Sequence, residues 1–285
     1  MPEPKYRIWA TLLDTWQQAR DPLPVWQKYW GQSDNPGKTY EEFAAECEQK
    51  LLDACNRVYE VSEAAAKGTA FNDAVDHMLR MTKIPTDVVH IAGGTHGDIQ
   101  ERLGYHFDDY GRPVSMVMEL QGFCFEFSYT QVSGVAAGYI TRVGSESIRP
   151  ASQVYTDGVL PTAWGPVLLY GYIDELMPTA IIDIKTTGSY RLGQFKSHWQ
   201  HLVYPYCLRQ HGDSIDRFEY DVLVWQRKRG DSPRCLIDGH YRETYIYSPE
   251  RDEPRLREHV ESLIEWIEAH RDKIDNPKLF NFREK

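Results

Sequence analysis

The segment GYIDELMPTAIIDIKTT at residues 171–187 constrains this chain more tightly than any other. Residues 170–176 and 180–186 are rich in β-branched and aromatic side chains, and Met177-Pro178-Thr179-Ala180 suits a four-residue turn with proline at its second position. The pattern predicts an antiparallel hairpin. A turn centred between Pro178 and Thr179 sets Asp174 opposite Asp183 and Tyr172 opposite Lys185, with both pairs on one face. Side chains alternate along a strand, so Asp183 and Lys185 point one way while Ile182 and Ile184 point the other.

Directly opposed residues hold their Cβ atoms about 4.5–5.5 Å apart, where like charges destabilise unless something compensates. Ile181, Ile182 and Ile184 sharpen the point, because a carboxylate inside so apolar a strand is costly without a partner. A divalent cation would compensate, and hard oxygen ligands suit Mg²⁺ or Mn²⁺ better than zinc. Cleaving a phosphodiester needs a nucleophilic water, stabilisation of charge on the phosphoryl oxygens and help for the leaving group. A carboxylate-held cation supplies the first and contributes to the others. A lysine on the same face can orient the water or stabilise the transition-state charge.

A second element follows the hairpin. Phe195, Trp199, Leu202, Val203, Tyr206 and Cys207 recur at helical intervals over residues 195–210, and Gln200 and Tyr204, four apart, share a face. Pro205 removes a helical hydrogen bond, so a kink is expected there.

The run resembles the PD-(D/E)XK nuclease superfamily, in particular its RecB-like and phage-type exonuclease branch. The resemblance rests on a G-x-x-D strand (Gly171 to Asp174), a hydrophobic D-x-K-T-T strand (Asp183 to Thr187) and a helix with Q-x-x-x-Y (Gln200 to Tyr204). It implies that Asp174, Asp183 and the main-chain carbonyl of Ile184 ligate Mg²⁺ or Mn²⁺, and that Lys185 assists catalysis. It also implies that Gln200 and Tyr204 line the site and the nucleic-acid path. Family members add a metal-facing residue from an earlier helix, in a G-x-x-x-H-E-like stretch. Here GTAFNDAVDHML at residues 68–79 carries Asn72 where the histidine often sits. Asn72 and Asp76 share a helical face while Asp73 falls on a neighbouring one. Asp76 is therefore the first choice for a third ligand, and Asn72 an outer-sphere residue facing the nucleic acid.

The formal net charge of −10, from 32 basic and 42 acidic residues, argues against a surface coated for nucleic-acid binding, though not against a local groove. Basic residues gather around and after the motif, Lys196 and Arg227 among them, and Arg227 belongs to a Gln-Arg-Lys-Arg-Gly run expected at a hairpin tip. Tyr190, Trp199 and Tyr204 offer rings that could stack on unpaired bases. Cys47, Cys55, Cys124, Cys207 and Cys235 form an odd set without CxxC spacing, so neither a disulfide framework nor a zinc knuckle is suggested. Each reads as a small core residue, and no iron–sulfur cluster is expected. His198 and His201 read as structural histidines, since no acidic partner marks them in the sequence.

A composition of 41% hydrophobic and 13% aromatic residues can build a substantial core. No apolar run reaches membrane-spanning length and the first residues lack the apolar core of a signal peptide, so a cytoplasmic setting without membrane attachment is expected. Thr39-Tyr40-Glu41-Glu42 is a capping-box pattern opening a helix to about residue 59, after a polar linker at 31–38. Residues 93–97, Gly-Gly-Thr-His-Gly, read as a flexible loop because the Gly-Lys-Ser/Thr ending of a phosphate loop is absent. Residues 123–127 read as a strand and 256–274 as an amphipathic helix.

The expected fold is α/β: a single domain over 1–285 with a restriction-endonuclease-like core, a mixed central sheet flanked by helices. It divides into an N-terminal helical layer (1–65), the core (66–247) and a C-terminal helix (248–285). The expected function is a metal-dependent deoxyribonuclease, exonucleolytic by resemblance, acting on DNA in recombination, repair or phage DNA processing alongside recombination or replication proteins. A non-catalytic nucleic-acid-binding module that keeps the fold is the alternative. An acid/base carboxylate pair acting on a sugar leaves Lys185 and Gln200 without a role.

Overall fold

The computed structural model describes residues 3–31, 33, 36–81, 89–92, 100–227 and 232–280. In chain order the elements are β1 (Tyr6–Trp9), α1 (Ala10–Arg20), α2 (Leu23–Tyr29), α3 (Tyr40–Cys55), α4 (Glu63–Arg80), β2 (Val89–Ala92), β3 (Gln100–Phe107), β4 (Pro113–Leu120), β5 (Phe123–Ser128) and α5 (Tyr129–Gly138). They continue with β6 (Thr141–Val143), β7 (Glu146–Ile148), β8 (Ala151–Thr162), β9 (Gly165–Leu176), β10 (Ile181–Thr187), α6 (Gln200–Gln210), β11 (Arg217–Trp225), β12 (Arg234–Cys235), β13 (Ile237–Ile246) and α7 (Pro249–Ala269). The class is α/β with mixed sheets flanked by helices. The loop expected at 93–97 lies outside the described residues.

The principal sheet runs β1-β9-β10-β11-β13, with β8 paired along β9. β1 with β9 and β10 with β11 are parallel; the other pairs are antiparallel. The predicted hairpin is present: Met177 N–H donates to Ala180 O at 2.9 Å, and Ile181 pairs with Leu176 and Ile182 with Glu175, the expected register. The ladder then stops. Tyr172 does not face Lys185: its ladder partner is Tyr155 of β8, and Lys185 pairs with Val222 of β11. The cause is β1, which takes the same edge of β9 over Val167 to Tyr170. Between the β1 and β10 pairings, the edge of β9 from Gly171 to Asp174 is left as a fork. On β8, the rung opposite Asp174 is also broken, at Gln153, whose φ of 54° is left-handed.

Both faces of this sheet are covered, which is why β10 sends Ile181 to one face and Ile182 and Ile184 to the other. On one face Ile181, Phe218, Tyr220 and Val222 pack with Leu12 and Leu13 of α1, Leu202 and Val203 of α6 and Leu263 and Ile264 of α7. On the other, Ile182, Ile184 and Trp225 pack with Phe71 and Ala74 of α4 and with a second sheet, β12-β5-β4-β3-β2. The expectation of one central sheet therefore needs correction. Its local signal lies in Gln121-Gly122, both at positive φ, which close a two-residue hairpin between Leu120 and Phe123.

The first 65 residues are likewise not purely helical, since β1 joins the principal sheet. α3 opens with the expected capping box but ends at Cys55, four residues early, where Asn56 caps it. α6 begins at Gln200 rather than 195, and it continues through Pro205. α7 starts earlier than expected, with Pro249 in its first turn, where a missing N–H costs nothing. Cys47, Cys55 and Cys207 are buried free thiols, but Cys124 is exposed and so is not a core residue. Among the described residues no helix is long and apolar enough to cross a membrane.

Candidate metal centre

Three elements meet at the fork. Alternation along β10 sends Asp183 and Lys185 toward α6 and Ile182 and Ile184 toward α4. Asp174 ends the fork, and its Oδ2 accepts the Ile184 N–H at 2.8 Å, replacing the ladder bond that β9 no longer makes. A strand residue directs its N–H and C=O at the same neighbour. The Ile184 carbonyl thus faces the side of Asp174.

Gln200, 4% exposed, ties the site to α6. Its Nε2 donates to Asp183 Oδ1 at 2.5 Å, and its Oε1 accepts from Lys185 Nζ at 2.6 Å. Lys185 Nζ also stands 2.7 Å from Asp183 Oδ2. Tyr204, one turn on, places its hydroxyl 3.3 Å from Gln200 Nε2, and its ring passes over Gly171. A Cβ at position 171 would meet that ring at 2.6 Å, so only glycine fits this stretch of the fork. Asp174, Asp183, Lys185, Gln200 and Tyr204 are thereby brought together.

α4 approaches β10 from the opposite face. A Cβ at Gly68 would stand 3.1 Å from Thr186 Oγ1, so the glycine sets the close approach of the helix. Asn72, one turn on, reaches Asp174 from α4, with Nδ2 3.5 Å from Oδ2; its own amide oxygen is buried with no hydrogen-bond partner. Asp76, expected as the third ligand, instead faces Glu175 carboxyl to carboxyl. The two are 1% and 0% exposed, and Ser152 Oγ donates to Glu175 at 2.8 Å. Glu175 had no part in the sequence reading; it pairs with Ile182, whose face of the sheet meets α4.

Charge is concentrated here. Burial, and then Asp183 close by, pushes the Asp174 carboxyl up to about 8. Burial and the facing Asp76 push Glu175 up to about 9, and burial raises Asp76 as well. Burial acts to lower the Lys185 ammonium, but Asp183 outweighs it and holds the group above its ordinary value.

Sequence reasoning missed Asp14. From α1 its carboxylate accepts the Trp199 N–H at 2.5 Å, at the start of α6, and stands 3.2 Å from His198 Nδ1. His198 therefore has the acidic partner that its sequence neighbourhood did not show. His201 is buried beside Tyr220, 3.2 Å from its hydroxyl, and burial lowers the imidazole to about 4, which fits a neutral structural histidine. Tyr190 stacks on Tyr241 at 4.8 Å, and Lys196 and Arg227 are exposed; no contact of these three with Asp174 or Asp183 occurs among the described residues.

Among the described residues no group of three or more His, Cys, Asp or Glu is arranged to hold an ion. The candidate donor set is instead two carboxylates and main-chain or amide oxygens. These are hard ligands in a crowded acidic setting, which fit Mg²⁺ or Mn²⁺.

No protein-family profile matches the chain, and no curated protein matches it. Among solved structures, one titled "Crystal structure of SSO0001" is similar in part, with 15% identity and a TM-score of 0.32 over 41% of this chain and 50% of that one. This chain thus spans about half the length of that structure, and a likeness of this size carries no argument about fold or function.

Proposed function

We propose that the chain is a divalent-metal-dependent deoxyribonuclease with a restriction-endonuclease-like core, acting exonucleolytically in DNA recombination, repair or phage DNA processing. The observation that carries this reading is the convergence of Asp174, Asp183 and Lys185 at the fork, held by the Ile184 N–H and by Gln200. Two carboxylates alone would suit several chemistries. A lysine and a glutamine locked to one of them suit the handling of an anionic group.

Asp174, Asp183 and the Ile184 carbonyl would hold the cation, with the unpartnered Asn72 amide oxygen beside them. When bound, Mg²⁺ or Mn²⁺ supplies an activated water and draws charge from the phosphoryl oxygens. The contacts that Lys185 makes to Asp183 and Gln200 are donations to oxygen, so it acts as a fixed cation that stabilises charge growing on the phosphate, not as a base. Gln200 keeps that ammonium aimed by bridging Lys185 and Asp183, and Tyr204 braces Gln200 from the apolar side. Asp14 fixes the first turn of α6 that carries Gln200.

The test is incubation of end-labelled single- and double-stranded DNA with Mg²⁺, Mn²⁺ or EDTA, alongside Asp183→Ala and Lys185→Ala. Cleavage that needs the metal and is lost in both variants is expected. Metal-independent cleavage, or full activity in both variants, overturns the mechanism. No cleavage of any substrate would assign the fold to a binding module.

A further inference from the structure

The two faces of β9 differ sharply. Val167, Leu169 and Ile173 are 0% exposed in the core, whereas Tyr172 on the opposite face is 45% exposed. Tyr155 of β8 is its ladder partner and is also 45% exposed. Trp9 of β1 pairs with Tyr170 in the same way. The rings touch in series: Trp9 to Tyr170 at 6.4 Å between centroids, Tyr170 to Tyr155 at 6.3 Å, and Tyr155 to Tyr172 at 5.4 Å. An aromatic strip therefore crosses three strands, buried at Trp9 and open to solvent at Tyr155 and Tyr172, and Asp174 follows Tyr172 by two residues, about 7 Å along the strand.

Two guanidinium groups lie on this strip. Arg7 Cζ stands 5.6 Å from the centre of the Tyr170 ring, and Arg7 Nε is buried without a hydrogen-bond partner. Arg57 Cζ lies 3.5 Å from the centre of a Trp9 ring, and its Nη2 donates to the Tyr170 hydroxyl at 2.5 Å. Among the described residues neither arginine has a carboxylate partner. Asp157, the ladder partner of Tyr170 on β8, is engaged by the Tyr155 hydroxyl at 3.0 Å and by His211 at 3.1 Å.

Arg57 is also out of place conformationally. It follows α3 at φ 59°, a left-handed position where glycine or asparagine is usual and another residue is strained. A side chain kept there despite that strain is what delivers the guanidinium to the strip.

We propose that this face is a track for single-stranded nucleic acid leading to the fork at Asp174; the inference rests on the reading of that fork as a nuclease centre. The exposed rings of Tyr155 and Tyr172 stack on unpaired bases, which a duplex keeps covered, and the guanidinium groups of Arg7 and Arg57, with no carboxylate partner among the described residues, complement phosphates. Tyr155 and Tyr172 stand side by side on neighbouring strands, 5.4 Å between centroids, and so can take up neighbouring bases. The chain's overall acidity confines binding to such a local strip.

The test is fluorescence anisotropy of a labelled single-stranded oligothymidylate in EDTA, where no metal-dependent cleavage can occur, with a blunt duplex as the comparison. Tyr172→Ala and Tyr155→Ala each weaken single-strand binding by about tenfold. Tyr172→Phe keeps wild-type affinity, because the ring is retained. Arg57→Gly, which relieves the backbone and whose fold is checked by circular dichroism, lowers the slope of log affinity against log salt by about 0.7. Wild-type binding in both alanine variants, equal losses on the duplex, or a wild-type chain that does not bind overturns the proposal. Cleavage in Mg²⁺ is scored separately. Cleavage that persists with the binding pattern absent removes the strip and leaves the nuclease reading, and the binding pattern without cleavage does the reverse.

Discussion

Replacing Gly171 by alanine probes how the fork is built. The new Cβ would sit 2.6 Å from Tyr204 Cε1 and 3.1 Å from its hydroxyl oxygen, whereas carbon–carbon contacts are optimal at about 3.5–4.0 Å. The ring must therefore retreat by about 1 Å. It has little room, since Tyr204 is 3% exposed and packs with Phe218 at 6.2 Å between centroids. Overpacking of this kind costs about 1–3 kcal/mol. The displacement reaches the site through Gln200, which touches Tyr204 at 3.3 Å and Asp183 at 2.5 Å. Urea unfolding followed by tryptophan fluorescence reads the stability, with a lower midpoint at unchanged slope expected. Tyr204→Ala alone costs about 3–5 kcal/mol. In the double variant the clash disappears, so its loss falls short of the summed single losses by about 1–3 kcal/mol. A Gly171→Ala protein as stable as wild type, or strictly additive losses, would refute the reasoning.

Other consequences follow from the same geometry. Asp174 and Glu175 are pushed up to about 8 and about 9, first by burial, so the folded chain holds more protons than the unfolded one; metal-free stability then falls as pH rises from about 4 to about 9. Denaturant midpoints in EDTA measure this, with Asp174→Asn and Glu175→Gln each flattening the decline; a flat wild-type profile contradicts it. Lys185→Ala slows single-turnover cleavage by about 10²–10³-fold. Gln200→Ala, which leaves the ammonium in place but unaimed, slows it by about 10–100-fold, and an unchanged rate would deny Gln200 a positioning role. Thr39→Ala breaks the capping box, in which Glu42 N–H donates to Thr39 Oγ1 at 3.2 Å and Thr39 N–H to Glu42 Oε2 at 2.9 Å. It lowers stability by about 1 kcal/mol and leaves cleavage unaltered.

The hairpin was legible because turn chemistry and alternation act over a few residues: the Met177–Ala180 turn and the first two rungs stand where the pattern put them. What lay beyond the second rung was not, because β1, more than 150 residues earlier, takes the other half of the same edge. That competition opens the fork and turns Asp174 onto the Ile184 N–H. The Gln200 and Tyr204 spacing was readable on a helical face, but the start of α6 was not. Phe195 and Trp199 keep a helical interval while the chain between them turns, and the helix opens only where Asp14 takes the Trp199 N–H. Gly68 illustrates the converse. Its place in the pattern was visible, but its reason, the approach of α4 to Thr186, is a tertiary distance. Arg7, Arg57 and the three tyrosines of the outer face are scattered through the chain, and only the strand order β1-β9 with β8 beside it brings them together.

The central claim is that the fork binds a divalent cation through Asp174, Asp183 and the Ile184 carbonyl. Crystals soaked in Mn²⁺ and measured at the manganese absorption edge test it directly. The account predicts an anomalous peak within about 2.0–2.6 Å of oxygens from all three residues, and its loss in Asp183→Ala. No peak at the fork at a Mn²⁺ concentration that supports cleavage, or a peak that survives in Asp183→Ala, would contradict it.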